Sequence, residues 1–128
     1  MTAIRGIVRA GQGQARGFTQ LDWVRRQFRD KLGFDPYPGT LNLQIDDRAT
    51  LARWRALPGI SIEPSPGYCA AKCHRVRIDA KVDAVWIVLQ VPGYREDVVE
   101  LIAAASLRES LHLRDGDSVW IQRVEGEE

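Results

Sequence analysis

PYPGTLNLQI, running from Pro36 to Ile45, decides the reading of this chain. Its first half is turn chemistry, since proline fixes φ and glycine accepts conformations closed to other residues. Its second half alternates with a period of two. Leu41, Leu43 and Ile45 fall on one face; Thr40, Asn42 and Gln44 fall on the other. That period belongs to a half-buried β-strand, not to a helix.

The flanking sequence repeats the theme of short strands broken by glycine and proline. Ile4 to Arg9 reads as a strand and ends in the glycine-rich stretch Gly11 to Gly17. Thr19 to Leu32 reads as the one longer helix. Leu21, Val24, Phe28 and Leu32 share a face, Thr19 and Asp22 resemble a capping pair, and Gly33 is the stop. A shorter helix is expected over Arg48 to Leu57, closed by Pro58-Gly59. Ile60 to Glu63 is a strand and Pro64 to Gly67 a loop. Within Tyr68 to Lys81, the side chains of Val76, Ile78 and Ala80 oppose those of Arg75, Arg77 and Asp79. Val82 to Val91 is apolar enough for a strand covered on both faces. Leu107 to Leu113 predicts a helical turn and Asp115-Gly116 a hairpin-type turn. Ser118 to Val124 is a final strand, and Glu125 to Glu128 an exposed tail. Many short strands with one longer helix and short helical turns make the class mainly β, a compact barrel.

The 128 residues suit a single domain spanning 1–128. With 45% hydrophobic and 27% charged residues, the composition is that of a globular chain with a real core. Eighteen basic residues nearly balance 17 acidic ones, which argues against a nucleic-acid or membrane-surface partner. The absence of a secretory signal or a bilayer-length apolar run makes the expected location cytoplasmic, with Cys69 and Cys73 reduced.

Four groups of residues invite chemistry. The loop GQGQARG, Gly11 to Gly17, has the small residues that let backbone N–H groups cradle phosphate, and Arg16 adds charge. It is neither a Walker motif nor a dinucleotide fingerprint. On the loop alone, a plain turn between strand and helix accounts for it better. Thr40 and Asn42 are two residues apart on a strand and so share a face. Their oxygens suit Mg²⁺, which keeps waters and substrate phosphates in its shell. Asparagine is unusual inside a strand, which favours function over a merely polar face. Cys69, Cys73 and His74 hint at zinc, but the remaining histidine is the isolated His112, so buried small hydrophobes are the better reading of the cysteines. Finally, Glu100 is a lone acid in VVELIAAASLRESL, either at a solvent edge or facing a ligand as acceptor or base. Arg108 is either a phosphate contact or an exposed arginine beside Glu109.

Taken together, the glycine loop, LGFDPYPGTLNLQI and VVELIAAASLRESLHLRDGDSVWI resemble the CTP-dependent riboflavin kinase family, from about Gly6 to Val124. The most specific part is Pro36 to Asn42. The resemblance implies a six-stranded cradle-loop β-barrel. It implies transfer of the γ-phosphate of CTP to the 5′-hydroxyl of riboflavin, giving FMN and CDP, with Mg²⁺ as cofactor and a monomer as the working form. By the same resemblance, Gly11, Gln12, Gly13, Gln14, Ala15, Arg16 and Gly17 hold the nucleotide, with Ala105, Ser106, Leu107 and Arg108 as a second wall. Thr40 and Asn42 hold the metal. Pro92, Gly93 and Glu100 meet the flavin, with Glu100 in the catalytic position. The chain departs from the family pattern at Gln14 and Ala15, at Ala104, and beside Pro92-Gly93, where a flavin-contacting threonine is missing. The alternatives are a related kinase with another acceptor, and a non-catalytic flavin- or nucleotide-binding barrel.

Overall fold

The computed structural model describes residues 2–11 and 13–124; the expected tail Glu125 to Glu128 and the loop residue Gln12 lie outside the described residues. Seven strands are found among the described residues: β1 Ala3–Arg9, β2 Leu41–Ile45, β3 Ile60–Ile62, β4 Ala71–Ile78, β5 Val82–Leu89, β6 Val98–Ile102 and β7 Ser118–Arg123. Three α-helical segments join them: α1 Asp22–Gln27, α2 Arg48–Ala56 and α3 Leu107–Ser110. The strands are antiparallel in the order β4-β5-β6-β2-β1-β7, and β7 returns to pair with β4 through Val76↔Arg123 and Ile78↔Ile121. Six strands therefore close into a barrel, with β3 added outside β4. Closure removes the open edges that a flat sheet of this composition would expose.

The alternation in β2 has its physical cause in this closure. Leu41, Leu43 and Ile45 point into the barrel, where they meet Ile4, Val8, Trp86, Val99 and Leu101. Gly6 lies opposite Ile45 on β1, and a side chain there would meet the Leu43 Cβ at 2.9 Å, so glycine is what lets Leu43 and Ile45 fill that layer. Leu51 and Trp54 of α2 join the same interior cluster. A second cluster forms outside the barrel, where Phe18, Val24, Phe28 and Leu32 cover Cys73, Val85, Ile87 and Ile102. Strand β5 sits between the two clusters, which is why its sequence is a nearly unbroken apolar run.

Three sequence expectations change. The segment Thr19 to Leu32 is not one helix. It is a 3₁₀ turn over Phe18–Gln20, an extended Leu21, the six-residue α1, and a π turn over Phe28–Leu32 that ends at Gly33 with φ +84°. Val24, Phe28 and Leu32 are spaced by four, and a 3.6-residue helix would rotate them progressively off the barrel; the wider π turn keeps Leu32 beneath Phe28. Thr19 caps nothing here: its hydroxyl donates to the Arg16 carbonyl at 3.0 Å. Strand β4 stops at Ile78, because Asp79 and Ala80 both have positive φ and turn the chain into β5, so Ala80 does not continue the face of Val76 and Ile78. Asp115-Gly116 lies in a turn closed by Asp117 N–H to the Arg114 carbonyl at 3.0 Å, and it joins α3 to β7 instead of pairing two adjacent strands. Among the described residues, no helix is long and apolar enough to cross a membrane.

Candidate functional site

The polar face of β2 lies outside the barrel, under the glycine-rich loop. Register builds the site. Asn42 is paired with Arg9 of β1 on one side and Glu100 of β6 on the other, and Glu100 is in turn paired with Ile87 of β5. The row Arg9–Asn42–Glu100 thus crosses three strands on the outer face. Thr40, two residues before Asn42, stands beside it. Its hydroxyl lies 3.0 Å from Asn42 Oδ1 and 3.2 Å from Glu100 Oε1. The single hydrogen of that hydroxyl is shared by two oxygens, so three oxygen-bearing side chains converge within hydrogen-bond distance.

Glu100 is only 3% exposed and Asn42 7%. A carboxylate this buried must be satisfied by donors. The Ala15 N–H reaches both carboxylate oxygens, at 3.0 and 3.2 Å; Thr40 donates to one, and the Tyr94 hydroxyl makes a short hydrogen bond to Oε2. Burial, and after it the charge of Glu100, pushes the Tyr94 phenol well above its usual range, so it stays a donor at all ordinary pH values. Asn42 spends its amide on the Gly11 carbonyl at 3.2 Å. The loop backbone is therefore stitched to the strand residues beneath it. Gly13 is the closest approach. A Cβ there would fall 1.8 Å from Glu100 Oε1 and 2.7 Å from Asn42 Oδ1.

Beside this cluster opens a cavity of about 560 Å³, lined by Asn42, Glu100, Gly13, Tyr94, Arg9 and Arg95 among others. A volume of this order suits a small organic ligand. Arg95 holds Asp97 through two hydrogen bonds of 3.0 and 2.8 Å, and Gln44 adds a third at 2.8 Å. Those contacts, led by Arg95, hold the Asp97 carboxyl below the usual carboxylate range. On the other side of Thr40 a smaller cleft of about 160 Å³ is lined by Gly39, Thr40, Ala105, Ser106, Leu107 and Arg108. Ser106 caps α3 by accepting the Glu109 N–H at 3.2 Å. Thr40 lines this cleft, and its hydroxyl contacts Asn42 and Glu100, which line the larger cavity.

The expected site residues divide accordingly. Gly11, Gly13, Ala15, Thr40, Asn42 and Glu100 come together in one network, and Gln14 and Gly93 line the larger cavity. The group Ala105 to Arg108 forms a wall of its own. Arg16 and Gly17 line neither space. The chain enters its 3₁₀ turn there, the Arg16 N–H is turned back to the Gly13 carbonyl, and both residues are exposed. Pro92 is exposed and outside the cavity, which takes Gly93 instead. Gln44 was signalled only as part of the polar face of β2; Tyr94 and Arg9 were not signalled by the sequence. The only hint was an aromatic residue isolated in the polar stretch PGYRED just before Glu100.

The cysteine–histidine group separates. Cys73 packs into the outer cluster, where burial pushes its thiol up to about 12, and Cys69 borders the same cluster. His74, the next residue on β4, faces the opposite way and stacks on Trp86 at 4.9 Å between ring centroids. It is 1% exposed, and Arg123 Nε donates to its Nδ1 at 3.4 Å, which favours the neutral ring. Lys72 and Arg123 are held by carbonyls at the end of α2, Lys72 on Leu57 and Arg123 on Pro58. Burial first, and then Arg123, Lys72 and Arg55, push the His74 pKa down to about 4. The unfolded chain protonates this ring near its ordinary pKa of about 6.5, so it binds more protons than the native state below that pH. Stability should be level above that value and fall as the pH drops toward 4, by about 2–3 kcal/mol at pH 4.5. Urea unfolding of the wild type and His74→Gln at pH 7 and pH 4.5 checks this. The acid-induced loss should be smaller in the variant by most of that amount, and equal losses would contradict it.

Comparison with known proteins adds an independent line. A family model labelled CTP-dep_RFKase, described as "Domain of unknown function DUF120", matches residues 8–122. A protein named riboflavin kinase from Methanocella arvoryzae is 42% identical over 120 residues, which is 92% of this chain and 55% of that protein. One of the same name from Archaeoglobus fulgidus is 35% identical over 128 residues, 94% of this chain and 54% of that protein. A third, from Ignicoccus hospitalis, is 34% identical over 126 residues, 93% of this chain and 69% of that protein. The chain spans about half the length of the first two relatives.

Proposed function

Since the chain belongs to the CTP-dependent riboflavin kinase family, we propose that it transfers the γ-phosphate of CTP to the 5′-hydroxyl of riboflavin, yielding FMN and CDP, with Mg²⁺. The observation that carries this reading is the Thr40–Asn42–Glu100 oxygen cluster, seated under a glycine loop with a ligand-sized cavity on one side and a smaller cleft on the other. The acceptor occupies the larger cavity beside Glu100. The nucleotide lies along the loop and the wall formed by Ala105 to Arg108.

The donor set fits a hard divalent cation. Thr40 Oγ1 and Asn42 Oδ1 are neighbouring oxygen donors, 3.0 Å apart, that would hold the ion together. When bound, the ion neutralises phosphate charge and helps align the two substrates. The chain's own residues supply the remainder. Loop N–H groups cradle phosphate oxygens, and Glu100 accepts a hydrogen bond from the acceptor hydroxyl, orienting it for in-line attack. The hydroxyl oxygen bonds to the γ-phosphorus, the bond from phosphorus to the bridging oxygen breaks, CDP departs, and the hydroxyl proton is lost toward Glu100 or water. Phosphoryl transfer through a loose transition state depends mainly on positioning and charge neutralisation, so one buried carboxylate and two neutral oxygens suffice.

The test is a product assay with purified protein, riboflavin and Mg²⁺, with CTP or ATP in separate reactions and FMN followed by chromatography. FMN with CTP alone is the expected result. FMN with ATP to the same extent would overturn the donor assignment, and no FMN from folded protein with either nucleotide would overturn the activity.

A further inference from the structure

Arg9 is the cation in the larger cavity that the fold leaves unspent. Two arginines line that space, Arg9 and Arg95. Arg95 is neutralised by its paired contacts with Asp97. Arg108, the neighbour of Arg9, is likewise matched by Asp115 at 2.9 Å, and donates through its other nitrogen to the Arg9 carbonyl. Only the main chain of Arg9 is engaged by that contact. Among the described residues, the guanidinium of this exposed arginine makes no hydrogen bond or ion pair. Its position is fixed by register: Arg9 is directly opposite Asn42, and Asn42 is directly opposite Glu100. Opposed Cβ atoms on antiparallel strands are ~4.5–5.5 Å apart, a distance that an arginine stem spans easily.

We propose that Arg9 contacts the phosphoryl group as it arrives on the acceptor, and so makes the pocket prefer the phosphorylated flavin to the neutral one. This rests on the acceptor reading given above. The argument is one of charge. Riboflavin brings no charge to the cavity, whereas FMN brings a phosphate at the end nearest the oxygen cluster. The only acid in the row, Glu100, accepts from Ala15, Thr40 and Tyr94 and makes no ion pair with the guanidinium. A guanidinium presents parallel N–H donors that match phosphate oxygens in pairs, and such charge-assisted bonds are the strong ones. During transfer, the same donors face the equatorial oxygens on which charge resides.

Equilibrium titration of the full chain with riboflavin and with FMN, read by flavin fluorescence, tests the assignment. Arg9→Gln should weaken FMN binding by about tenfold to a hundredfold and change riboflavin binding by less than about twofold. Arg9→Lys should recover part of the FMN affinity, because it keeps the charge and loses the fork. An Arg9→Gln variant that loses affinity for both flavins equally, or for neither, overturns the proposal while the acceptor reading stands. Wild-type protein that binds neither flavin overturns the acceptor reading, and the role of Arg9 with it.

Discussion

Gly13→Ala is expected to lower kcat/KM for FMN formation by at least about a hundredfold while leaving the barrel folded. The size follows from where the methyl group must go. It would sit 1.8 Å from Glu100 Oε1 and 2.5 Å from the carboxyl carbon, with Asn42 Oδ1 at 2.7 Å. The far end of a free glutamate could swing aside, but this carboxylate is buried and tied to Ala15, Thr40 and Tyr94. Either the carboxylate leaves those donors or the loop rises from the strand. If the loop rises, the Ala15 N–H loses its acceptor and the Gly11 carbonyl loses the Asn42 amide. In both cases the loop backbone and the oxygen cluster lose their mutual placement. Misplacement by about an ångström costs catalysis a factor of about 100. The interior cluster does not include the loop, so unfolding should remain cooperative, with a stability loss of about 1–3 kcal/mol. Steady-state kinetics and urea unfolding on the same preparation decide it. A variant within about threefold of wild type would mean that the loop adopts a different course when substrates bind.

The sequence announces some parts of this fold plainly and hides others for physical reasons. Strand β2 is legible because one face is apolar and the other polar. Strand β5 is legible as a continuous apolar run because both its faces are covered. Strand β6 is hidden because it follows neither rule: Val99 and Leu101 face inward, Ile102 joins the outer cluster, and Glu100 is buried beside it. A charged residue within a strand covered on both faces reads as an interruption until its donors are known. The helix over Thr19 to Leu32 was legible in its buried face but not in its path. Spacing by four is compatible with an α-helix or with a π turn, and only packing against the barrel chooses between them.

The candidate site divides along a similar line. Thr40 and Asn42 could be paired from sequence because their proximity is local. Glu100 could be singled out as an anomaly, yet its partners come from residues 15, 40 and 94. Arg9 carries no signal of its own, since its place beside Asn42 arises from strand register across 33 positions. Arg16 was the more attractive arginine by motif, but the turn that begins at Gly17 leaves it in solvent.

Thr40→Val and Asn42→Ala should each reduce FMN formation by at least about a hundredfold, and each should raise the Mg²⁺ concentration needed for half-maximal activity. Valine keeps the shape of threonine and exchanges its hydroxyl for a methyl group, so the change falls on the oxygen contacts to Asn42 and Glu100. It leaves Glu100 with Ala15 and Tyr94 as donors, and a stability loss of no more than about 1.5 kcal/mol is expected. Asn42→Ala removes an oxygen from the cluster and also strips the Gly11 carbonyl of its donor, so it should cost about 1–3 kcal/mol in addition to activity. Thr40→Ser retains the hydroxyl and should retain most of the activity. The informative variant is Asn42→Asp. It places a second carboxylate 3.0 Å from the hydroxyl that already serves Glu100, and like charges so placed repel unless a cation lies between them. Its unfolding midpoint should therefore rise with added Mg²⁺ more steeply than that of the wild type, a response independent of turnover. Losses of activity in Thr40→Val and Asn42→Ala that excess Mg²⁺ leaves untouched, together with an Asn42→Asp midpoint indifferent to Mg²⁺, would remove the metal from these two residues and leave them as struts for Glu100 and the loop.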